Sequence, residues 1–202
     1  MNIILSLPIR IGIITLAITL WLIVFFTVKK HRVAPESRLY LATQLDLKIP
    51  FLPRMALVYF STYIFILLPF LKLSNARLFV GILVSYVVVT LVSTVIHVIL
   101  PSQVKRIDDL APYGLSGKLL DIFQQICKPY DNFPSMHVGY SVLVVGVYFL
   151  TSGTLLGSIV LVWAILIALS TLFTKQHLIL DVLAGTLNGA IVFTLMIYLL
   201  GI

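Results

Sequence analysis

Charge is what this sequence has least of. Asp, Glu, Lys and Arg make up 10% of the 202 residues against 60% apolar or aromatic, and the mean hydropathy is +1.13. A water-soluble domain keeps about a quarter of its residues charged, so this chain cannot cover a globule with polar side chains, and a soluble fold is excluded. Cysteine is reduced to Cys127, which excludes an internal disulfide and any multi-thiolate metal site. Acids number 7 against 14 bases, a formal charge of +7. With so few polar positions the bases must crowd into connections, where anionic lipid headgroups are the expected partners. No soluble basic face is left for nucleic acid, which is not expected to bind. Strict apolar–polar alternation, the mark of barrel strands, is lacking, as are fixed-period repeats.

What the chain does have is long, unbroken apolar runs. At ~20 residues per crossing they predict an all-α polytopic membrane protein, a single domain over 1–202, with six transmembrane helices near 9–28, 55–71, 78–100, 136–151, 154–173 and 178–200. The first run, Ile9 to Val28, is too long for a signal core and ends in Lys29-Lys30-His31-Arg32 without a small-residue cleavage site, which predicts a retained anchor. Two longer connections predict short interfacial helices. In 34–50, Pro35 and Glu36 precede Leu39, Ala42 and Leu45 at helical spacing; in 101–135, Ser116 can cap a helix whose Leu119, Leu120, Phe123, Ile126 and Cys127 form an apolar stripe. Connections 72–77, 152–154 and 174–177 are tight. Eleven of the fourteen Lys and Arg follow odd-numbered spans, which predicts a cell-membrane protein with the 101–135 loop in the cytoplasm.

An ionisable group inside an apolar run costs ~2.5–3.5 kcal/mol at mid-bilayer, so the exceptions are informative. They are His97, His137, His177 and Asp181, all at span ends that face one side if the chain alternates. His177 and Asp181 are four apart at a helix start and share a face. The carboxylate can take the proton of one imidazole nitrogen and leave the other with its lone pair outward, as a nucleophile requires. Such a pair can also merely bolt helices together, but Asp181 is the only acid in any span. Gly185 and Gly189 continue the i, i+4 series and permit close helix approach. Asn132-Phe133-Pro134-Ser135-Met136-His137 marks a helix N-terminus, where free N–H groups favour a phosphate-like anion, with Ser135 as a hydroxyl donor and His137 placed as a general acid. Lys105, Arg106 and Lys175 lie close in sequence to these groups and suit a phosphoryl group, Arg106 with two donors at once. They would repel a metal cation and no H-E-x-x-H occurs, so neither metal nor cofactor is expected. His97 reads as a buried, satisfied histidine or a cavity group, and His31 as solvent-facing.

These residues resemble the type 2 phosphatidic acid phosphatase superfamily, six-span membrane lipid phosphatases and phosphotransferases with signatures K-x-x-x-x-x-x-R-P, P-S-G-H and S-R-x-x-x-x-x-H-x-x-x-D. Pro134-Ser135-Met136-His137 matches the second with Met for Gly. Ser170, His177 and Asp181 match the third in spacing, with Thr171 at its arginine. Arg106 fits the first, with Ile99 at its lysine and Ile107 at its proline. The F-P-S-M-H and T-K-Q-H forms look most like the branch of inositol phosphorylceramide synthases. The resemblance implies that His177 attacks phosphorus, Asp181 orients it and His137 protonates the leaving alkoxide. It also implies that Ser135, Ser170, Arg106 and Lys175 bind the phosphoryl oxygens; beyond the resemblance, Lys105 and Lys175 are read here as replacements for the absent bases. The expected activity is metal-independent phosphate release from a membrane lipid phosphate or polyprenyl pyrophosphate. A lipid phosphotransferase, or a non-enzymatic lipid or anion binder or transporter, are the alternatives.

Overall fold

The computed structural model describes residues 3–29 and 38–202. Among these the regular elements are helical: α1 (Leu7–Lys29), α2 (Gln44–Lys48), α3 (Ala56–Phe65), α4 (Leu68–Lys72), α5 (Ala76–Ile99), α6 (Gly114–Ile126), α7 (Met136–Phe173) and α8 (Ile179–Leu200). Helices α5, α7 and α8 are long and apolar enough to cross a membrane. Their outward faces carry bare hydrocarbon, with Leu155 and Leu199 each 76% exposed. Such surfaces are stable against lipid tails and would aggregate in water.

Two of the long helices begin where a side chain satisfies open N–H groups. The Asn75 side chain accepts from the N–H groups of Arg77 (3.0 Å) and Leu78 (3.2 Å) at the start of α5. Asp181 reaches back to the N–H of Leu178 (2.8 Å) at the start of α8, one half of a capping box. At Gly153 α7 breaks, with φ 76° and ψ 179°, a conformation essentially restricted to glycine. Val144 on the first arm packs in one cluster with Val160, Ala164 and Ile167 on the second, so the arms fold back on each other, as the 152–154 connection predicts.

The helices touch closely where side chains vanish. A Cβ on Gly185 would stand 2.3 Å from the Ser135 carbonyl oxygen, and one on Gly189 2.4 Å from that of Gly139. The α7 and α8 backbones therefore meet directly, as small-residue faces in membranes allow. Against α7 and α8, α5 closes a core around Phe79, Val89, Leu143 and Val192.

Three expectations are corrected. The predicted 55–71 span is broken into α3 and α4 at residues 66–67, because Pro69 has no N–H and its ring clashes with the carbonyl four residues back, that of Phe65. The predicted helix over 34–50 shrinks to α2, its start at Pro35 and Glu36 lying outside the described residues, as does His31. Leu39 is extended instead, its N–H donating to Pro101 O (2.9 Å) and its carbonyl accepting from Gln103 N (2.9 Å), a pairing with no local periodicity to announce it. The helix in 101–135 forms with Leu120 and Phe123 buried, but it starts at Gly114, so Ser116 sits within it rather than capping it.

Replacing Gly189 by Ala is expected to destabilise the protein by about 1–3 kcal/mol through overpacking, although alanine is the better helix former. On α1, where Gly12 meets nothing within 4 Å, the same change should stabilise by up to ~1 kcal/mol. Thermal unfolding of both variants in detergent checks the pair.

Candidate active site

Two backbone hydrogen-bond sets bring the histidines together. The N–H of Ser135 donates to Asp181 O (2.9 Å), fixing the first turn of α7 to that of α8. At the end of α7 the Thr171 carbonyl accepts from both Gln176 N (2.9 Å) and His177 N (3.1 Å), which folds the 174–178 connection tightly enough to turn His177 inward. The His137 and His177 rings then lie 5.7 Å apart, centroid to centroid, at 67°. His177 Nδ1 is 3.3 Å from Asp181 Oδ2, the oxygen that also accepts the Leu178 N–H. With Nδ1 so engaged, Nε2 is the nitrogen left for chemistry. His137 is packed by the rings of Tyr59 (5.4 Å) and Tyr63 (6.0 Å).

Both histidines line a cavity of about 470 Å³. Arg106 also lines it, held by donating Nη1 to the Cys127 carbonyl while its buried Nε has no partner. Burial pulls this guanidinium down from its usual value against the opposing influence of Tyr59 and Cys127, and it remains a cation at neutral pH. A partly buried cation with an open donor is a site for an anion. Asn132 and Gln176 line the same end, and the exposed Lys128 contributes a second cation.

Of the other expected anion ligands, Lys175, Lys105 and Ser170 are engaged elsewhere. Lys175 turns away from the cavity and donates Nζ to the carbonyls of Ile49 (2.5 Å) and Asp46 (3.2 Å). Lys105 is exposed with its amine 5.1 Å from the Tyr40 ring centroid. Ser170 is fully buried and donates to Ile167 O (2.6 Å). Ser135 is buried at the α7 N-terminus with a hydroxyl that finds no partner. His97 is buried and lines the cavity.

Some contributors were not anticipated. Asp46 accepts the first N–H of α8, that of Ile179 (2.8 Å), through Oδ1, while Oδ2 accepts from Thr43 N (2.7 Å); only Thr43-x-x-Asp46 hinted at a cap. Arg38 pairs with Asp131 (3.4 Å) and stacks 3.8 Å over Tyr130, which holds the segment that leads into α7. Nothing local in the sequence indicated that pairing across the chain. Gln176 offered no signal beyond its place beside His177.

A family model described as the PAP2 superfamily matches residues 74–201. The chain belongs to the PAP2 superfamily. The match takes in α5 through α8 and therefore Arg106, both cavity histidines near the α7 and α8 starts, and Asp181. No curated protein and no solved structure matches the chain. Within this PAP2 chain the departures from the signatures have visible consequences. Ile99, at the signature lysine, is 75% exposed on the outside of α5, and Thr171, at the signature arginine, is fully buried and donates to Ala168 O (2.7 Å). Arg106 and Lys128 are the Lys and Arg side chains that line the cavity among the described residues.

Inorganic phosphate is expected to bind in this cavity. Arg106→Ala should weaken it about 10–100-fold, the worth of a charge-assisted hydrogen bond of ~1.5–3 kcal/mol, whereas Lys175→Ala should change it less than about twofold because Lys175 faces away. Titration calorimetry in detergent, with folding of each variant confirmed by its thermal transition, measures both.

Proposed function

We propose that this protein is a metal-independent phosphohydrolase that removes phosphate from a membrane lipid phosphate or polyprenyl pyrophosphate. The observation that carries the reading is the meeting of two imidazoles, one at the start of α7 and one on the connection into α8, the latter backed by a carboxylate, over a cavity that also holds a guanidinium. His177 Nε2 attacks phosphorus and forms a P–N bond as the P–O bond to the lipid breaks. His137 gives its proton to the departing oxygen. The same imidazole, now neutral, takes a proton from water, whose oxygen attacks phosphorus and breaks the P–N bond, returning His177 and releasing inorganic phosphate. Asp181 holds Nδ1–H and stabilises the charge that develops on the ring. Arg106 neutralises charge on the phosphoryl oxygens, and the Ser135 hydroxyl at the α7 N-terminus donates a hydrogen bond to them.

In this reading the chain crosses the membrane six times, through α1, the broken α3–α4 pair, α5, each arm of α7, and α8. The site opens to the cytoplasmic face of the cell membrane, the side on which eleven of fourteen Lys and Arg fall. A second reading, transfer of a phosphoalcohol between lipids, is favoured by the F-P-S-M-H and T-K-Q-H forms at 133–137 and 174–177. In that case an alcohol takes the place of water in the second step.

His177→Ala is expected to abolish phosphate release from detergent-solubilised lipid phosphate, and Asp181→Asn to lower kcat by about 10²–10⁴-fold, the cost of a misoriented imidazole in comparable triads. Unchanged release by the alanine variant rules out His177 as nucleophile. Wild-type protein that releases phosphate only after an alcohol acceptor is added is a transferase. For sidedness, Lys118→Cys in a Cys127→Ser background should react with a membrane-impermeant maleimide only after cells are permeabilised; labelling of intact cells puts the site outside.

A further inference from the structure

His177 stands on no helix. It belongs to the short connection between α7 and α8, so its ring is only as fixed as that connection. Asp181, which orients it, is held through one carboxylate oxygen. Oδ2 takes the Leu178 N–H (2.8 Å) and faces His177 Nδ1 (3.3 Å), while the buried Oδ1 finds no partner among the described residues. The meeting of ring and carboxylate is therefore set by the backbone that carries them.

Residues 46–52 grip that backbone on both sides of His177. Before it, Leu52 N donates to Phe173 O (2.9 Å), and Lys175 Nζ donates to Ile49 O (2.5 Å) and Asp46 O (3.2 Å). After it, Ile179 N donates to Asp46 Oδ1 (2.8 Å). Asp46 alone takes part on both sides, with its main-chain oxygen before the histidine and its carboxylate after. The residue that α2 buries is this acid, whereas its Leu45 and Leu47 are 61% and 66% exposed. The segment is thus not a packing element. A buried carboxylate is tolerated only when hydrogen-bonded, and Thr43 meets that need: its N–H (2.7 Å) and hydroxyl (2.6 Å) both donate to Oδ2. Oδ1 is left directed at the positive end of α8, where a negative charge is favoured. Asp46 does not line the cavity, so it can affect the chemistry only through what it holds.

We propose that Asp46 is a positioning residue for the nucleophile: it fixes the start of α8, keeps Asp181 against His177 Nδ1, and so determines which imidazole nitrogen faces phosphorus. This rests on the phosphohydrolase reading, and one of the two measurements below needs no turnover. Asp46→Ala is the main variant. Thr43→Val, which removes one donor to Oδ2, is the milder one and decides the outcome if Asp46→Ala loses its folded gel-filtration peak.

The first measurement is kcat for phosphate release in a double-mutant cycle with Asp181→Asn, beside calorimetric binding of inorganic phosphate. Asp46→Ala is expected to lower kcat by about 10–100-fold, the cost of a displacement of about 1 Å, and Thr43→Val by about 3–10-fold, the worth of one hydrogen bond. Phosphate affinity should stay within about twofold, because the lost bonds lie outside the cavity lining. In the Asp181→Asn background the same substitutions should cost less than about threefold, since residues that act as a unit are not additive. A general structural defect would lower both backgrounds alike and weaken phosphate. The second measurement is ¹⁵N NMR of the His177 ring, assigned by its loss in His177→Ala, at a pH where the ring is neutral. Wild type should show the single Nδ1-protonated tautomer, and the variants an average of the two tautomers.

Equal losses in both backgrounds, a kcat that keeps its wild-type value, weakened phosphate binding, a wild-type ring already averaged, or a single tautomer that survives the substitution overturns the role of Asp46 and leaves the hydrolase reading standing. Absence of release by wild type from every lipid phosphate defeats the hydrolase reading instead, and the ring spectrum then decides on Asp46 alone.

Discussion

The structure depends on one contact, the direct backbone approach of α7 to α8. Without side chains at Gly185 and Gly189 the α8 helix lies against the Ser135 and Gly139 carbonyl oxygens, and the Ser135 N–H closes on the Asp181 carbonyl. Lipid tails are as apolar as leucine, so no hydrophobic force presses these helices together in a bilayer, and close van der Waals packing must do it. The spacing fixed there sets the 5.7 Å between the imidazoles. A shift of one ångström would cost a site of this kind far more than it costs the bundle.

Around that contact the chain separates two environments. At one end the cavity holds the histidines, Arg106 and Asn132; along its length it holds Tyr86, Leu83 and Phe70. A phosphorylated lipid has the same polarity in the same order. The PAP2 superfamily match over 74–201 agrees with the polar end, yet two signature bases are missing, and no lysine or arginine from elsewhere in the described cavity lining replaces them beyond Arg106 and Lys128. Among the described residues the cations left to meet an anion in this cavity are therefore Arg106 and Lys128.

The His177–Asp181 pair was legible because an acid inside an apolar run is too costly to be incidental, although His177 stands in the connection before α8 rather than in its first turn, and the contact forms because Asp181 reaches back past the helix start. Continuous apolar runs gave the long helices, and glycine between two of them gave the bend in α7. What could not be read was direction and long-range pairing. Lys175 is two residues from His177, but its φ of 54° sends it to the carbonyls of Asp46 and Ile49. Leu39 has helical spacing with its neighbours and still extends, since its backbone is taken by Pro101 and Gln103. Pro69 was a visible warning that the run over 55–71 would break, and hydropathy alone averaged it away.

The carboxylate that completes the start of α8 comes from far upstream. Asp46 accepts the Ile179 N–H and its carbonyl takes the Lys175 ammonium, although it lies outside the stretch that the family model matches. The helix bearing Asp181 is thus finished by a residue that precedes the shared region. The portion of sequence common to the superfamily is in this protein not a separable module: cut free or transplanted, it would carry its histidines on an unsealed helix end and a stranded lysine.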